Sequence, residues 1–305
     1  MIKYEPSPAD KAPLPPSYVS EARYLKYREA DAAKPYAKYF RTTTRPVRDE
    51  IVYALTAGMS PTEYGYPLTD AVDRLAAPGY DNLETGWTKL ENGVIFVAVH
   101  TPMPGVTPEM WDWWFGWHGS ETARYKLWYP DAHQFSAVGE NRSHNRELTD
   151  RQRYIDNVSY VDEYIGGVLQ PLAIRFLDPR KLGFPDIPGT THICARVSLS
   201  SLPVAFGWLI HQVRATADGA EMRSRFFLNT PATLALPRRA LPPTTAARFL
   251  TTQPGRLLAK AAAKPAVNHL MPATLGADMV HHCAAEMNHL AGFLPQLHEE
   301  FVGSP

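Results

Sequence analysis

Several features are scarce in this chain of 305 residues, and each scarcity excludes a class of protein. Lys plus Arg and Asp plus Glu number 31 each, so no net charge favours nucleic acid or an anionic membrane as the main partner. The two cysteines, Cys194 and Cys283, are too few for a disulfide framework. The longest apolar run, LPVAFGWLI, is far too short to span a bilayer. No glycine motif of the kind that cradles a nucleotide is present, which removes most other enzyme classes.

The N-terminus does not have the pattern of an export signal. Its sequence, MIKYEPSPADKAPLPPSYVSEARY, is polar and proline-rich and has no apolar core. The cysteine content also suits a reducing compartment. We therefore expect a cytoplasmic protein that has neither nucleic acid nor a membrane as its partner.

The sequence pattern changes near residue 85. Prolines favour an extended chain over about the first 20 residues, and apolar spacings of three and four predict helices in SEARYLKYREADAAKPYAKYF and RPVRDEIVYALTAG. Beyond residue 85, TGWTKLENGVIFVAVHTPMPG predicts a hairpin that turns at Asn-Gly. The segments THICARVSLSS, PVAFGWLIHQVRAT and AEMRSRFFLNT predict neighbouring antiparallel strands. A helix is predicted over 274–299, which Pro295 should end or kink.

These patterns predict an α+β protein in two parts. Residues 1–84 form an N-terminal extended and helical region, and 85–305 form the main domain. In that domain, a curved antiparallel sheet that grips a long C-terminal helix would bury the apolar face of the helix and leave a cavity between them.

The segment DMVHHCAAEMNHL, residues 278–290, carries a cluster of polar side chains on this predicted helix. At about 100° per residue, His282, Glu286, His289 and Phe293 fall within an arc of roughly 60°. His282 and Glu286 are one turn apart and could both reach a single metal ion. By itself, the pattern also fits the solvated edge of an ordinary amphipathic helix.

Two further candidate ligands precede this helix. His133 follows a Tyr-Pro turn in RYKLWYPDAHQF, and Glu163 precedes a Gly-Gly pair in YVDEYIGG. Taken singly, His133 also fits a loop or capping residue and Glu163 a surface carboxylate.

Four segments together resemble the 2,4-diacetylphloroglucinol hydrolase family, of which phloretin hydrolase is a member or close relative. They are WDWWFGWHGSETARYKLWYPDAHQ, VDEYIGG, IHQVRATADGAEMRSRFF and HHCAAE, and the resemblance covers most of 85–300. It implies a helical N-terminal portion, a helix-grip (Bet v 1-like) domain and metal-dependent cleavage of a C–C bond between an aromatic ring and an acyl group. It also implies a zinc ion held by His133, Glu163, His282 and Glu286, although iron or manganese could occupy such a set.

The resemblance also implies roles around the metal. Tyr125 would orient a substrate hydroxyl, and His211 in GWLIHQVR would move the ring proton, unless it is a core histidine with one satisfied nitrogen. We count Glu163 as catalytic as well, since a glutamate ligand has to loosen to admit water or substrate. Ser136 stands where the family has a substrate-holding asparagine, and Phe226 lies near the expected second tyrosine. The substrate could therefore equally be a larger acylphenol or another β-dicarbonyl-like compound.

Other polar and aromatic residues have structural interpretations. His118 in GWHGS is an alternative pocket histidine that better fits a packing role. Arg223 and Arg225 share a strand face with Glu221 and fit a cross-strand salt-bridge ladder better than an anion site. Most tryptophans in the central block should be core, with one or two lining the slot for a flat polyphenol; the block comprises Trp111, Trp113, Trp114, Trp117 and Trp128.

Three functions follow as hypotheses. The first is a metal-dependent hydrolase that acts on a small aromatic acylphenol. The second is a non-catalytic carrier that encloses apolar ligands in the helix-grip domain. The third is a mononuclear iron oxygenase that uses two histidines and one carboxylate. By analogy, the helical N-terminal part is a candidate surface for a homodimer.

Overall fold

A computed structural model describes residues 4–270 and 274–304, with side chains described for all of these except 262–270. The α-helices are α1 (Pro16–Ser20), α2 (Glu29–Ala32), α3 (Asp49–Ala57), α4 (Ala71–Ala76), α5 (Pro108–Trp117), α6 (Thr122–Trp128), α7 (Asp150–Tyr154), α8 (Thr245–Leu250), α9 (Gln253–Leu270), α10 (Leu275–Ala291) and α11 (Leu294–Phe301). The strands are β1 (Gly86–Lys89), β2 (Ile95–Pro104), β3 (His133–Val138), β4 (Val158–Ile165), β5 (Val168–Leu177), β6 (Thr190–Leu199), β7 (Val204–Thr216) and β8 (Gly219–Thr233). Short 3-10 turns occur at Ala9–Lys11, Ala37–Tyr39, Thr62–Tyr64, Leu68–Asp70, His118–Ser120, Pro179–Leu182 and Arg238–Ala240.

All eight strands form one antiparallel sheet in the order β1-β2-β8-β7-β6-β5-β4-β3. Helix α10 packs on β1 and β2 at one edge and also reaches β4 near the other edge. A single helix can touch both edges only if the sheet curves around it. This is the helix-grip α+β arrangement that the sequence predicted, and the Asn-Gly hairpin and the β6–β7–β8 neighbours are confirmed as well.

Strands β3, β4 and β5 were not predicted from the sequence. The residues of β3 and β4 are buried on both faces over most of their length, so the polar–apolar alternation of a half-exposed strand is missing. Strand β5 begins with two exposed apolar residues, Val168 and Leu169, and also lacks that alternation. The β4–β5 hairpin turns at Gly166 and Gly167, with φ of 58° and 80°. A side chain at Gly166 would also meet the Asp278 carboxylate of α10, 2.3 Å from the position of a Cβ. Glycine therefore lets the hairpin approach the start of α10.

The long helix predicted from residue 20 to residue 40 is wrong. Helix α1 ends at Ser20, and after it only α2 and the turn Ala37–Tyr39 are helical in that range. The rest of the segment is held by contacts with the main domain: Arg23 pairs with Asp162 at 2.8 Å, and the Tyr27 hydroxyl donates to the carbonyl oxygen of Ala123 at 2.6 Å. These tertiary contacts outweigh the helix propensity of the local sequence.

The C-terminal helix is interrupted where the proline predicts. Helix α10 ends at Ala291, and Pro295 lies in the first turn of α11. The apolar stripe of α10 is buried against the sheet, including Cys283 at 0% exposure. Within residues 4–270 and 274–304, no helix combines the length and the apolar character needed to cross a membrane.

The tryptophan block forms core that packs against α11. Trp111, Trp113, Trp114 and Trp117 are each at most 2% exposed. Trp113 and Trp114 pack on Trp117, and Trp111 packs on Trp128. The prediction that most of this block is core holds.

The arginines of β8 lie in a salt-bridge network, as expected, but with other partners. Arg223 and Arg225 bind Glu84 at 2.6 and 2.7 Å, and both approach Asp81. Glu221 instead pairs with Arg214 and His100. Both arginines are thus paired with carboxylates of the loop that precedes β1, which does not support their interpretation as an anion site.

The pKa of Glu84 reflects this network. Burial alone would raise it, but hydrogen bonds from Arg223 and Arg225 and the positive charge of Arg225 outweigh burial and lower the pKa from 4.5 to about 2. A carboxylate whose folded pKa is depressed stabilises the fold above its unfolded pKa and loses that contribution as the pH falls through the folded value.

Glu84→Gln should therefore lower the free energy of unfolding by about 2 kcal/mol at neutral pH, where the wild-type carboxylate is charged. The difference from wild type should shrink as the pH falls from about 4.5 to about 2. Urea unfolding of both proteins across this range measures it. Glu91→Gln, an exposed glutamate in the β1–β2 turn, is the matched control. A pH-independent difference for Glu84→Gln would contradict the account.

Candidate metal centre and substrate cavity

The four candidate ligands come from three elements that meet at one end of the sheet. His133 is the first residue of β3 and lies directly opposite Glu163 on β4. Residues paired across two strands share one face of the sheet, so these side chains project together. His282 and Glu286 project towards them from α10, one turn apart.

The ligand atoms lie close to the spacing that one bound ion requires. The Nε2 atom of His133 lies 3.6 Å from oxygens of both Glu163 and Glu286. The Nε2 atom of His282 lies 3.7 Å from Glu163 and 3.9 Å from Glu286. Tetrahedral ligands about 2.0–2.2 Å from a shared ion are roughly 3.3–3.6 Å apart. One atom each of His133, Glu163 and His282 lie within 4.8 Å of one another, and the two imidazole centroids are 5.8 Å apart.

Backbone carbonyls orient both imidazoles. Nδ1 of His133 lies 3.0 Å from the carbonyl oxygen of Tyr125, and Nδ1 of His282 lies 3.0 Å from that of Tyr164. A carbonyl oxygen only accepts, so each Nδ1 carries the hydrogen and each Nε2 presents a lone pair to the centre. In the described part of the chain, Nε2 of His133 is buried without a hydrogen-bond partner. The donor set therefore fits a divalent cation.

Burial sets the charges of these groups. It raises the pKa of Glu163 to about 7, against the opposing hydrogen bond from Tyr125, and raises the pKa of Glu286 well above its ordinary value. It lowers the pKa of His282 to about 4 and lowers the pKa of His133 well below its usual range. The imidazoles are thus neutral, as metal ligands must be, and a divalent cation would compensate two carboxylates that burial disfavours as anions.

Tyr125 connects this cluster to the cavity. Its hydroxyl donates to Oε2 of Glu163, and its ring stacks on the His133 imidazole with centroids 3.7 Å apart. The same side chain lines the cavity. Tyr125 is therefore placed to touch both the candidate ligands and a bound molecule.

A cavity of about 480 Å³ lies between the concave sheet and α10, and its size suits a small organic molecule. Most of its lining is apolar. Its polar side chains are His118, Tyr125, Ser159, Glu163, Gln170, His211, His282 and Glu286. Glu163, His282 and Glu286 line the cavity, and His133 lies next to it, 3.6 Å from both glutamates.

His211 faces this cavity and also has one satisfied nitrogen. Its Nδ1 lies 2.8 Å from the Ser224 hydroxyl, and Cys283 of α10 interacts with the same serine. That shared contact brings His211 close to the turn of α10 that carries His282. Burial lowers the pKa of His211 to about 3, so the ring is neutral.

The remaining predicted residues divide between the cavity wall and the interior. Phe226 lines the cavity with its ring edge-on to His211 at 5.6 Å, and Trp128 lines it as one of the expected slot aromatics. Ser136 is not brought to the cavity in the described part of the chain. Its hydroxyl donates to the carbonyl oxygen of Gly119 at 3.1 Å, and its role in substrate binding stays a prediction.

His118 combines two roles. Its Nδ1 lies 2.7 Å from the carbonyl oxygen of Trp114, and its ring stacks on that indole, as the packing interpretation expects. It also lines the cavity, where burial lowers its pKa to about 4.

Sequence analysis missed two polar residues of the wall, Ser159 and Gln170. Gln170 lies directly opposite Glu163 across the β4–β5 hairpin, so both side chains share a face. The Gly-Gly turn, taken as a hairpin signal, fixes that register and would have found it.

Comparison with known proteins places this chain in a family. Residues 67–299 match the model of the DAPG hydrolase PhiG domain. The chain belongs to the DAPG hydrolase family. The 2,4-diacetylphloroglucinol hydrolase of Pseudomonas protegens is 30% identical over 92% of this chain and 89% of its own length. A second 2,4-diacetylphloroglucinol hydrolase, from a Pseudomonas species, is 30% identical over 92% and 93%. The phloretin hydrolase of Eubacterium ramulus is 29% identical over 66% and 74%.

A metal titration tests the candidate metal centre of this DAPG hydrolase family member. Zn²⁺ added to chelator-treated protein should bind at about one ion per chain and raise the Tm, because ligands of the folded state stabilise it. His282→Ala should weaken Zn²⁺ binding at least about 100-fold, by loss of one coordinating nitrogen. Calorimetric titration measures both quantities.

His281→Ala is the matched control, because His281 is the exposed neighbour of His282 on the same helix. It should bind Zn²⁺ as the wild type does. Equal loss in both variants, or no loss in either, would rule out this centre.

Proposed function

We propose that this protein is a zinc-dependent hydrolase that cleaves the C–C bond between a phenolic ring and an acyl group. The observation that carries the proposal is the convergence of His133, Glu163, His282 and Glu286 at an apolar cavity. Family membership supports it, since the relatives are named for 2,4-diacetylphloroglucinol and phloretin.

The reaction breaks a bond that is stable unless the ring carbon can leave with its electron pair. A hydroxyl ortho or para to that carbon allows this, because the ring can delocalise the pair onto oxygen as a keto tautomer. Water supplies the rest of the balance: its oxygen bonds to the acyl carbon and leaves in a carboxylic acid, and one of its protons ends on the ring carbon. The products are the deacylated phenol and the free acid.

The chain would hold zinc through the two Nε2 atoms and the two carboxylates. When bound, the ion would polarise the acyl carbonyl and lower the pKa of a coordinated water. Zinc suits two imidazoles and two carboxylates, and it needs no redox partner.

The protein's own side chains would do the rest. Tyr125 would bind the phenol hydroxyl or phenolate, since its hydroxyl lies beside Glu163 and its ring beside His133. His211 would carry the proton to the ring carbon: it is neutral, faces the cavity and is oriented by Ser224. Glu163 would admit water by loosening its hold on the ion, and its carboxylate would accept a proton from that water.

A simple carrier of apolar ligands explains less of the site. Burying four ionisable groups at one end of a cavity costs free energy, and an apolar ligand would return none of it. A bound cation and a polarised substrate would offset part of this cost, because both interact favourably with the buried groups.

The proposal predicts that the zinc-loaded protein releases one acid per bond from 2,4-diacetylphloroglucinol or phloretin and consumes no oxygen. His211→Asn should lower kcat/KM by about 10²–10⁴-fold through loss of the proton carrier and leave the zinc content unchanged. Chromatography of the phenol and acid products, with zinc analysis of each variant, measures this.

His192→Asn is the matched control, because His192 is a buried histidine on the opposite face of the sheet, stacked on Phe184. It should keep wild-type turnover. Tyr125→Phe should raise KM more than it lowers kcat if Tyr125 mainly binds the phenol. Oxygen consumption would indicate an oxygenase instead, and tight binding of both compounds without turnover would indicate a carrier.

A further inference from the structure

The cavity extends well beyond the metal-binding atoms. Leu275 precedes His282 by seven residues on α10, and both line the cavity. At 1.5 Å per residue, they are about 10 Å apart along the helix axis. The cavity therefore continues about two helical turns past the candidate ligands.

The cavity also extends across the strands of the sheet. Leu199 on β6 lies opposite Leu172 on β5, which lies opposite Val161 on β4. Neighbouring strands are about 4.8 Å apart, so Leu199 is roughly 10 Å from the strand that carries Glu163. Phe206, on β7, is one strand further.

We call this part of the cavity the remote chamber, and its lining is entirely apolar among the described side chains that form it. It is lined by Leu199, Leu202, Val204, Phe206 and Leu275. Each is only partly buried by protein, so each has surface that a ligand could cover. Between the chamber and the metal centre, the wall is mostly apolar, with Met279 on α10 and Leu172 and Ile174 on β5.

Most of the polar groups lie at the other end, where Tyr125 stacks on His133 and His118 stacks on Tyr125 at 5.8 Å. Gln170, on β5 between Glu163 and the chamber, is a polar side chain of the intervening wall. A phenolic ring carries hydroxyls that cost free energy when buried without partners. The ring therefore belongs at the polar end, and the remote chamber suits a group that needs no hydrogen bonds.

An acetyl group ends one carbon beyond its carbonyl and could not reach the remote chamber. We propose that this enzyme acts on phenols that carry a long apolar acyl chain, an alkanoyl group of roughly six carbons or more, which the remote chamber binds. This inference rests on the proposed function for the reaction, and it adds the substrate class.

Kinetics on a homologous series test it. Acetyl-, butanoyl-, hexanoyl- and octanoylphloroglucinol should show kcat/KM rising about threefold per added methylene, because each one buries apolar surface in the chamber. Val204→Trp, which fills the chamber, should reduce the octanoyl-to-acetyl ratio of kcat/KM at least about tenfold. Leu202→Trp provides the same test if Val204→Trp does not fold.

Val168→Trp is the matched control, because Val168 is 55% exposed on β5 outside the cavity. It should keep the wild-type ratio. A kcat/KM that is flat or falls with chain length, in a protein that does hydrolyse acetylphloroglucinol, overturns the inference and leaves the proposed function standing.

Binding measurements test the remote chamber separately from the proposed reaction. Resorcinols with ethyl to octyl chains have no carbonyl to cleave, so their Kd reports the chamber alone. The Kd should fall about threefold per methylene in the wild type and much less in Val204→Trp. That trend without hydrolysis of any acylphenol would support the chamber and refute the proposed reaction, whereas a Kd independent of chain length would refute the chamber.

Discussion

The candidate site depends on one packing relation: α10 lies inside the curved sheet with its apolar stripe buried. Met279, Cys283, Met287 and Leu290 are each at most 7% exposed. Burial of such side chains contributes about 1.5–3 kcal/mol each. The helix can therefore carry His282 and Glu286, beside that stripe, into an interior that disfavours charge.

The sheet completes the arrangement from the opposite side. His133 and Glu163 meet because they are direct partners across β3 and β4, and the register of a pair fixes which side chains share a face. The carbonyls of Tyr125 and Tyr164 then select the tautomer of each imidazole. Geometry and protonation are thus set by backbone as well as by side chains, which makes the cluster rigid before any ion binds.

Sequence patterns predict the two candidate ligands on the helix, whereas the two on the sheet were identified only through the family resemblance. Helical periodicity alone brings His282 and Glu286 to one arc. His133 and Glu163 lie on strands buried on both faces, where the alternation that identifies a strand is lost. Their pairing could come only from the family motifs, because the Gly-Gly hairpin joins β4 to β5 and does not place β3.

Where local patterns failed, long-range contacts decided the outcome. The segment around Arg23 and Tyr27 has helical spacing, but ion pairs and hydrogen bonds to the main domain hold it in another conformation. These long-range contacts leave no local signal in the sequence.

The most direct test of the account is a crystal structure of the zinc-loaded protein with anomalous diffraction at the zinc edge. The account predicts one ion, with Nε2 of His133 and of His282 at about 2.0–2.1 Å and oxygens of Glu163 and Glu286 at about 2.0–2.2 Å. An ion bound elsewhere, or no anomalous peak between these four side chains, would contradict it.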